Sequence, residues 1–183
     1  MSHNVEARNS ESTSILTSTQ TTKLESSRRN VDLQSTTKRL QTELMQLMTC
    51  SAPGISAFPS ADGNLMSWTA TIEGPEDTPY FGLTFKLNFN FPSNYPYSAP
   101  TVTFKTPIYH PNVDFSGRIC LDILKDQWTA AYNIQTILLS LQSLLGEPNN
   151  SSPLNGEAAD LWDKNPELFK KKVLGRHQDI DDE

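Results

Sequence analysis

Apolar residues recur along this chain in two periods, and the switches between them mark out its elements. Leu40, Leu44, Leu47 and Met48 fall at i, i+4, i+7 and i+8, a helical stripe with Ser35, Thr36 or Thr37 available as its cap. Lys38, Arg39, Thr42 and Glu43 then fall on the solvent side. Two of these are cations in the first turn, where the helix dipole disfavours them. That conflict is either neutral or the mark of a docking surface for an acidic partner. Period two follows. Asp62-Gly63, between Ile55–Phe58 and Leu65–Ile72, predicts a hairpin with its turn at the Asp-Gly. Met66, Trp68, Ala70 and Ile72 alternate with polar residues, and Phe81, Leu83, Phe85, Leu87, Phe89 and Phe91 place six apolar residues on one sheet face. Val102 and Phe104 predict a shorter fourth strand.

Five prolines between residues 92 and 111 (Pro92, Pro96, Pro100, Pro107, Pro111) fix φ and remove backbone donors, so the chain to about residue 130 reads as a long, stiff loop region. Loops of that length inside a compact domain are usually functional. Helical periodicity returns from Asn133, as cap, to Gly146, with Ile134, Ile137, Leu138, Leu141, Leu144 and Leu145 as the core stripe. Leu139 points away from that stripe, either as a solitary exposed leucine or as the seed of a partner surface. A third helix spans about 154–162. A fourth starts at Asn165-Pro166, cap then proline, and stops near Gly175. The order is α+β: an N-terminal helix, a four-stranded antiparallel meander, a long loop region, then three helices.

Composition changes this picture at the two ends. Residues 1–37 hold 15 Ser or Thr, 8 apolar residues and no aromatic one, too little to offset the entropy of ordering. They are expected to form a disordered tail, either a leader without a role or a phosphorylatable or partner-docking arm. The folded domain is expected over 38–176, with an acidic tail over 177–183. The net charge is −6, and Lys170–Lys172 is the one basic cluster, so nucleic acid is not an expected partner. No apolar run exceeds three residues, which speaks against a transmembrane helix, a membrane association or a signal peptide. Two cysteines make no disulfide framework and point to a reducing compartment, and no Cys or His stands at metal-ligand spacing.

Cys120 lies in Arg118-Ile119-Cys120-Leu121-Asp122-Ile123-Leu124. If that segment is extended, Ile119, Leu121 and Ile123 face inward while Arg118, Cys120 and Asp122 share the outer face. An accessible cysteine so flanked is either a nucleophile or inert. Cys50 has no such setting and reads as structural. His110, ten residues before Cys120, either serves as its base, as in a thiol hydrolase, or holds the stiff His110-Pro111-Asn112 turn by hydrogen bonds. Outside enzymes, the competing reading is a catalytically dead binding module.

Tyr109-His110-Pro111-Asn112-Val113, then Gly117-Arg118-Ile119-Cys120-Leu121-Asp122-Ile123-Leu124, then Trp128, resemble the core signature of ubiquitin-conjugating enzymes. The resemblance covers about residues 38–174, including Tyr80, Tyr95-Pro96 and Gly146-Glu147-Pro148-Asn149. The tail, Gly54-Ile55-Ser56-Ala57-Phe58-Pro59 and Ser143-Leu144-Leu145-Gly146-Glu147-Pro148-Asn149 further resemble the cyclin-selective branch, which works with the anaphase-promoting complex in cyclin degradation and mitotic exit.

The resemblance implies a transferase without metal or cofactor, working in cytoplasm and nucleus. Its partners are ubiquitin, the activating enzyme, a RING ligase and substrate lysines. Cys120 matches the thioester-forming cysteine, and Asn112 the asparagine that supports the active-site loop and stabilises the oxyanion. His110 and Pro111 are structural in that turn. Asp122 and Tyr132 match positions of the gate beside the cysteine, and Ser152 stands where many relatives carry Asp. A serine is no anionic base. Only about one lysine in 2,500 is neutral at pH 7, a deficit of roughly 4.6 kcal/mol, of which desolvation recovers about 1.4 per pKa unit. The serine therefore argues for positioning and desolvation. Leu139 and Ser143 match the helix face that holds the linked ubiquitin closed. Pro96 with Tyr97, and Thr129 with Ala130, match two ligase-docking loops, and Lys38 and Arg39 the helix surface used by activating enzyme and ligase. Ala130 departs from the Ser-Pro-Ala common in its loop.

Overall fold

The computed structural model describes residues 10–177. In chain order it runs α1 (Ser10–Cys50), β1 (Ile55–Pro59), β2 (Ser67–Glu73), β3 (Thr84–Asn90), β4 (Thr101–Phe104), a 3-10 turn (Asp122–Leu124), α2 (Ile134–Gly146), α3 (Gly156–Lys164) and α4 (Pro166–Arg176). The strands pair antiparallel in the order β1-β2-β3-β4, the α+β meander that the two periods predict. Register follows from burial. Trp68 opposes Phe89, Ala70 opposes Leu87 and Ile72 opposes Phe85, so each buried residue meets a buried residue across the ladder. One-residue slippage would turn this whole face to water.

α2 covers the sheet at β1 and β2 with the six predicted stripe residues, all buried. Its cap is Asn133, whose side chain accepts from the Thr136 amide. Asn165 caps α4, with Pro166 in the first turn. α3 starts at Gly156, two residues later than its pattern suggests, because Asn155 takes the cap position and Leu154 stays 47 % exposed. Among the described residues no helix is long and apolar enough to cross a membrane.

Three expectations are corrected. First, the N-terminal helix does not begin at Ser35–Thr37: α1 runs from Ser10, so the described part of the Ser/Thr-rich segment is helical rather than coil. Residues 20–35 are exposed throughout, and packing starts at Thr36, whose hydroxyl donates to the carbonyls of Ser93 and Tyr95. The scarcity of large apolar groups thus sets where packing begins, not where the helix begins. Residues 1–9 of that tail and residues 178–183 of the acidic one lie outside the described residues, while His177 is anchored against the Thr84 carbonyl and the Phe85 ring.

Second, Glu43 is not on the solvent side. It is 2 % exposed, lying between Leu40 and Leu47 in the same stripe. Third, Phe81 does not share the buried face of β3: it is 63 % exposed. Gly82 takes φ +82°, and this left-handed residue breaks the alternation before the strand begins at Thr84. Phe85, Leu87, Phe89 and Phe91 carry the face, with Leu83 partly buried.

Candidate active site

The segment carrying Cys120 is positioned by a tight turn before it. The Asp114 carboxylate accepts from the Ser116 amide and hydroxyl and from the Arg118 amide and Nε, at 2.7–3.0 Å. These bonds, the Ser116 hydroxyl foremost, hold its carboxyl well below the ordinary range. Gly117 closes the turn at φ +87°, and a Cβ there would lie 2.2 Å from the Phe104 carbonyl oxygen. Gly117→Ala is therefore expected to cost more than about 2 kcal/mol, read as a lower denaturation midpoint.

Beyond the turn, Ile119 is buried and Leu121 and Ile123 are partly buried. Arg118 and Asp122 are exposed and Cys120 is half-exposed, as the extended reading predicts, although Asp122–Leu124 coil into the 3-10 turn. The Cys120 amide donates to the Asn112 carbonyl at 2.8 Å, and Lys125 Nζ stands 3.7 Å from the sulfur. Cys50, expected to be structural, is instead exposed at the end of α1.

His110 is fully buried. The Asn112 amide donates to His110 Nδ1 at 2.9 Å, which leaves the proton on Nε2 to donate to the Leu144 carbonyl at 2.7 Å. Both nitrogens are occupied, so His110 fastens the turn to α2 and is no base for Cys120. Burial lowers its pKa to about 4, partly opposed by the bond to Leu144. The neutral ring favours the folded state at neutral pH. Because the unfolded imidazole protonates first, near 6.5, stability is whole above that value and falls as pH drops toward 4, by about 3 kcal/mol. Denaturant midpoints from pH 7 to 4 check this slope, and an NMR titration should show His110 unprotonated at pH 5.5.

Asn112 is the joint between the cysteine segment and the loop after α2. It is 1 % exposed. Its Nδ2 donates to the Asn149 carbonyl at 2.7 Å and its Oδ1 accepts from the Asn149 amide at 2.8 Å. The Pro111 carbonyl accepts from the amides of Leu154 and Asn155 at 2.9 and 3.0 Å. Residues 149–155, with exposed Ser152 among them, are thus pinned to the turn that also holds Cys120. The groove of about 500 Å³ between Asp77–Phe81 and the start of α4 contains none of these residues. Cys120 is half-exposed, so its sulfur can be reached by a macromolecular acyl group.

The remaining candidates form two other groups. Pro96 and Tyr97 follow a cis Tyr95-Pro96 bond, and the Pro96 carbonyl accepts from Trp128 Nε1 at 2.9 Å, which brings their loop beside the one holding Thr129 and Ala130. Tyr97 is 78 % exposed. Lys38 is exposed, but Arg39 is largely spent internally on Glu43 and on the carbonyls of Ala130 and Tyr132. The Tyr132 ring packs on Trp128 at 5.9 Å. Leu139 and Ser143 stand exposed on the outer face of α2.

Residues 39–176 match the family described as "Ubiquitin-conjugating enzyme". The chain belongs to the ubiquitin-conjugating enzyme family. It is 62 % identical over 152 residues to "Ubiquitin-conjugating enzyme E2-20 kDa" of Schizosaccharomyces pombe, covering 83 % of this chain and 86 % of that one. It is 45 % identical to "Ubiquitin-conjugating enzyme E2 3" of Arabidopsis thaliana, over 75 % of this chain and 91 % of the other. It is 48 % identical to "Ubiquitin-conjugating enzyme E2 N" of Macaca fascicularis, over 70 % and 84 %. Enzymes of this family are transferases acting through a cysteine thioester, and their partners are ubiquitin, an activating enzyme and a ligase. Neither alternative is favoured: both His110 nitrogens are occupied, which speaks against a thiol hydrolase, and the relatives are named as conjugating enzymes, which speaks against a catalytically dead module.

Glu43, Lys125 and Asn149 had no role in the sequence reading of this ubiquitin-conjugating enzyme. For Glu43 a signal existed: its spacing of three from Leu40 and four to Leu47 puts it inside the stripe. A charged residue at a core position is expected to be paired. For Asn149 the binding groups are backbone atoms, and no side-chain pattern announces them.

Proposed function

We propose that this enzyme takes ubiquitin as a thioester on Cys120 and passes it to substrate lysines with a RING ligase, the anaphase-promoting complex, in cyclin degradation and mitotic exit, in cytoplasm and nucleus. The observation that carries the acyl-transfer site is the Asn112 clasp, which binds the cysteine segment and the 149–155 loop into one wall beside an accessible sulfur. Cys120 accepts the ubiquitin carbonyl by thiol exchange. A lysine amine then attacks that carbonyl, the sulfur leaves, and the amine loses its proton.

In this reading Asn112 has one amide N–H beyond its bond to Asn149, a neutral donor suited to a charge that develops only in the tetrahedral intermediate. Asp122 and Ser152 position and desolvate the incoming lysine, with Tyr132 supporting the adjoining loop. Pro96, Tyr97, Thr129 and Ala130 receive the ligase, and Lys38 on α1 is exposed. The choice of ligase rests on the resemblance of the N-terminal segment, Gly54–Pro59 and Ser143–Asn149 to the cyclin-selective branch.

Loaded enzyme offered to the anaphase-promoting complex and a mitotic cyclin should modify the cyclin. Discharge with other RING ligases but not with that complex would refute the branch and leave the family intact. Leu139, 37 % exposed, is assigned to the face that holds the linked ubiquitin. Leu139→Ala should leave loading and melting temperature unchanged and slow ligase-stimulated discharge about tenfold, the effect of roughly 1.4 kcal/mol of lost apolar contact. A large fall in melting temperature would instead make it a core residue.

A further inference from the structure

Glu43 is a buried carboxylate on the N-terminal helix, bonded to Arg39 of the same helix, to the loop at Tyr95 and to the start of α2. Its Oε1 accepts from Arg39 Nε at 2.7 Å and from the Tyr95 hydroxyl at 2.6 Å. Its Oε2 accepts from the Ile134 amide at 2.8 Å. Ile134 is the first residue of α2, where the helix dipole favours a negative charge. Arg39 continues the chain of contacts, donating to the Ala130 carbonyl at 3.2 Å and the Tyr132 carbonyl at 2.9 Å and lying 5.7 Å from the Tyr95 ring. Tyr95 in turn precedes Pro96, whose carbonyl holds Trp128.

One ion pair, with its carboxylate buried and its guanidinium partly exposed, therefore braces the chain next to both loops assigned to the ligase, Pro96–Tyr97 and Thr129–Ala130. It also braces the start of the helix whose far face carries Leu139 and Ser143. Burying a charge is costly unless it is paired and hydrogen-bonded. Here it is saturated, and its donors come from the surfaces that must act together when a ligase stimulates transfer. The Tyr95 phenol is kept protonated, raised above its ordinary value by burial and then by the Glu43 charge, so it remains a donor throughout the physiological range.

We propose that Glu43 is a positioning residue for ligase-stimulated transfer, coupling the ligase-docking loops to α2 through Tyr95 and Arg39. The coupling rests on the ligase reading above. It calls for no contact between Glu43 and ubiquitin or ligase.

Tyr95→Phe removes one donor and keeps the ring packing on Phe91 and Trp128. Glu43→Gln keeps the shape but loses the charge and turns an acceptor into a donor. Both variants are loaded with ubiquitin by the activating enzyme, and discharge to free lysine is followed without ligase and across a titration of a RING domain. The expected result is loading and unstimulated discharge within about twofold of wild type, an unchanged ligase KM, and a stimulated kcat lowered by about fivefold or more. Equal loss in all three reactions would make the network merely structural, and a rise in ligase KM alone would confine it to shaping the docking surface. Either result, or an unchanged kcat, overturns the coupling. Wild-type enzyme that RING domains fail to stimulate would refute the ligase reading itself. If Glu43→Gln does not fold, Tyr95→Phe decides the matter alone.

Discussion

Asn112→Ala is expected to accept ubiquitin on Cys120 and then to release it to lysine about 10²–10³ times more slowly than wild type, the effect of removing one oxyanion donor worth about 2.7–4 kcal/mol. Both steps build charge on the carbonyl oxygen, but loading uses a thiolate that attacks readily, whereas discharge relies on the small neutral fraction of an amine and so depends more on every group that lowers its barrier. The same substitution also removes both bonds to Asn149. Two backbone groups then lose their partners, which should lower stability by about 2–4 kcal/mol. Single-turnover discharge, measured beside loading and a denaturation curve, separates the effects. Slowing of loading and discharge by the same factor would assign Asn112 to the loop alone. Asn112→Asp is an informative companion, since an ionised carboxylate can accept from the Asn149 amide but cannot donate to its carbonyl.

Cys120→Ser carries the other large effect. The hydroxyl occupies the position of the thiol, so folding should be preserved, with a melting temperature within a few degrees of wild type. An alcohol is a far poorer nucleophile and leaving group than a thiol near neutral pH. Loading should slow strongly, and any adduct that forms should be an oxyester that survives reducing agent. Transfer to lysine should fall more than about 10³-fold, since the leaving group is an alkoxide rather than a thiolate. The half-exposure of Cys120 makes the substitution chemically rather than sterically disruptive.

Much of this was legible in the sequence where a single period governs the local structure. The alternation Phe85, Leu87, Phe89 and the stripe Ile134 to Leu145 dictate which faces are buried, and the structure buries those faces. Asn133 and Asn165 cap the helices they precede because a side-chain oxygen one position outside a helix can meet its free amides. Alternation failed at Phe81 because a left-handed Gly82 resets the direction of the chain, and a hydrophobicity pattern carries no dihedral information. Glu43 departs from the rule that charge marks a solvated face. Its burial depends on Tyr95 and Ile134, 52 and 91 residues away, and such partners are supplied by tertiary structure alone.

The site shows the same division. The cysteine motif locates Cys120, and its alternation with Ile119 and Leu121 foretells an accessible sulfur. Whether His110 is base or brace was open in the sequence. It is settled by the Leu144 carbonyl and the Asn112 amide, backbone groups that take both ring nitrogens. The resemblance directs Arg39 outward to partners, whereas its hydrogen bonds to Glu43, Ala130 and Tyr132 run into the protein.

The most direct measurement is the site of ubiquitin attachment. Wild type, Cys50→Ala and Cys120→Ala are each incubated with activating enzyme, ATP and ubiquitin and resolved with and without reductant. The expected result is one thiol-sensitive adduct in wild type and Cys50→Ala and none in Cys120→Ala, although Cys50 is the more exposed of the two. An adduct that persists in Cys120→Ala and vanishes in Cys50→Ala would contradict it.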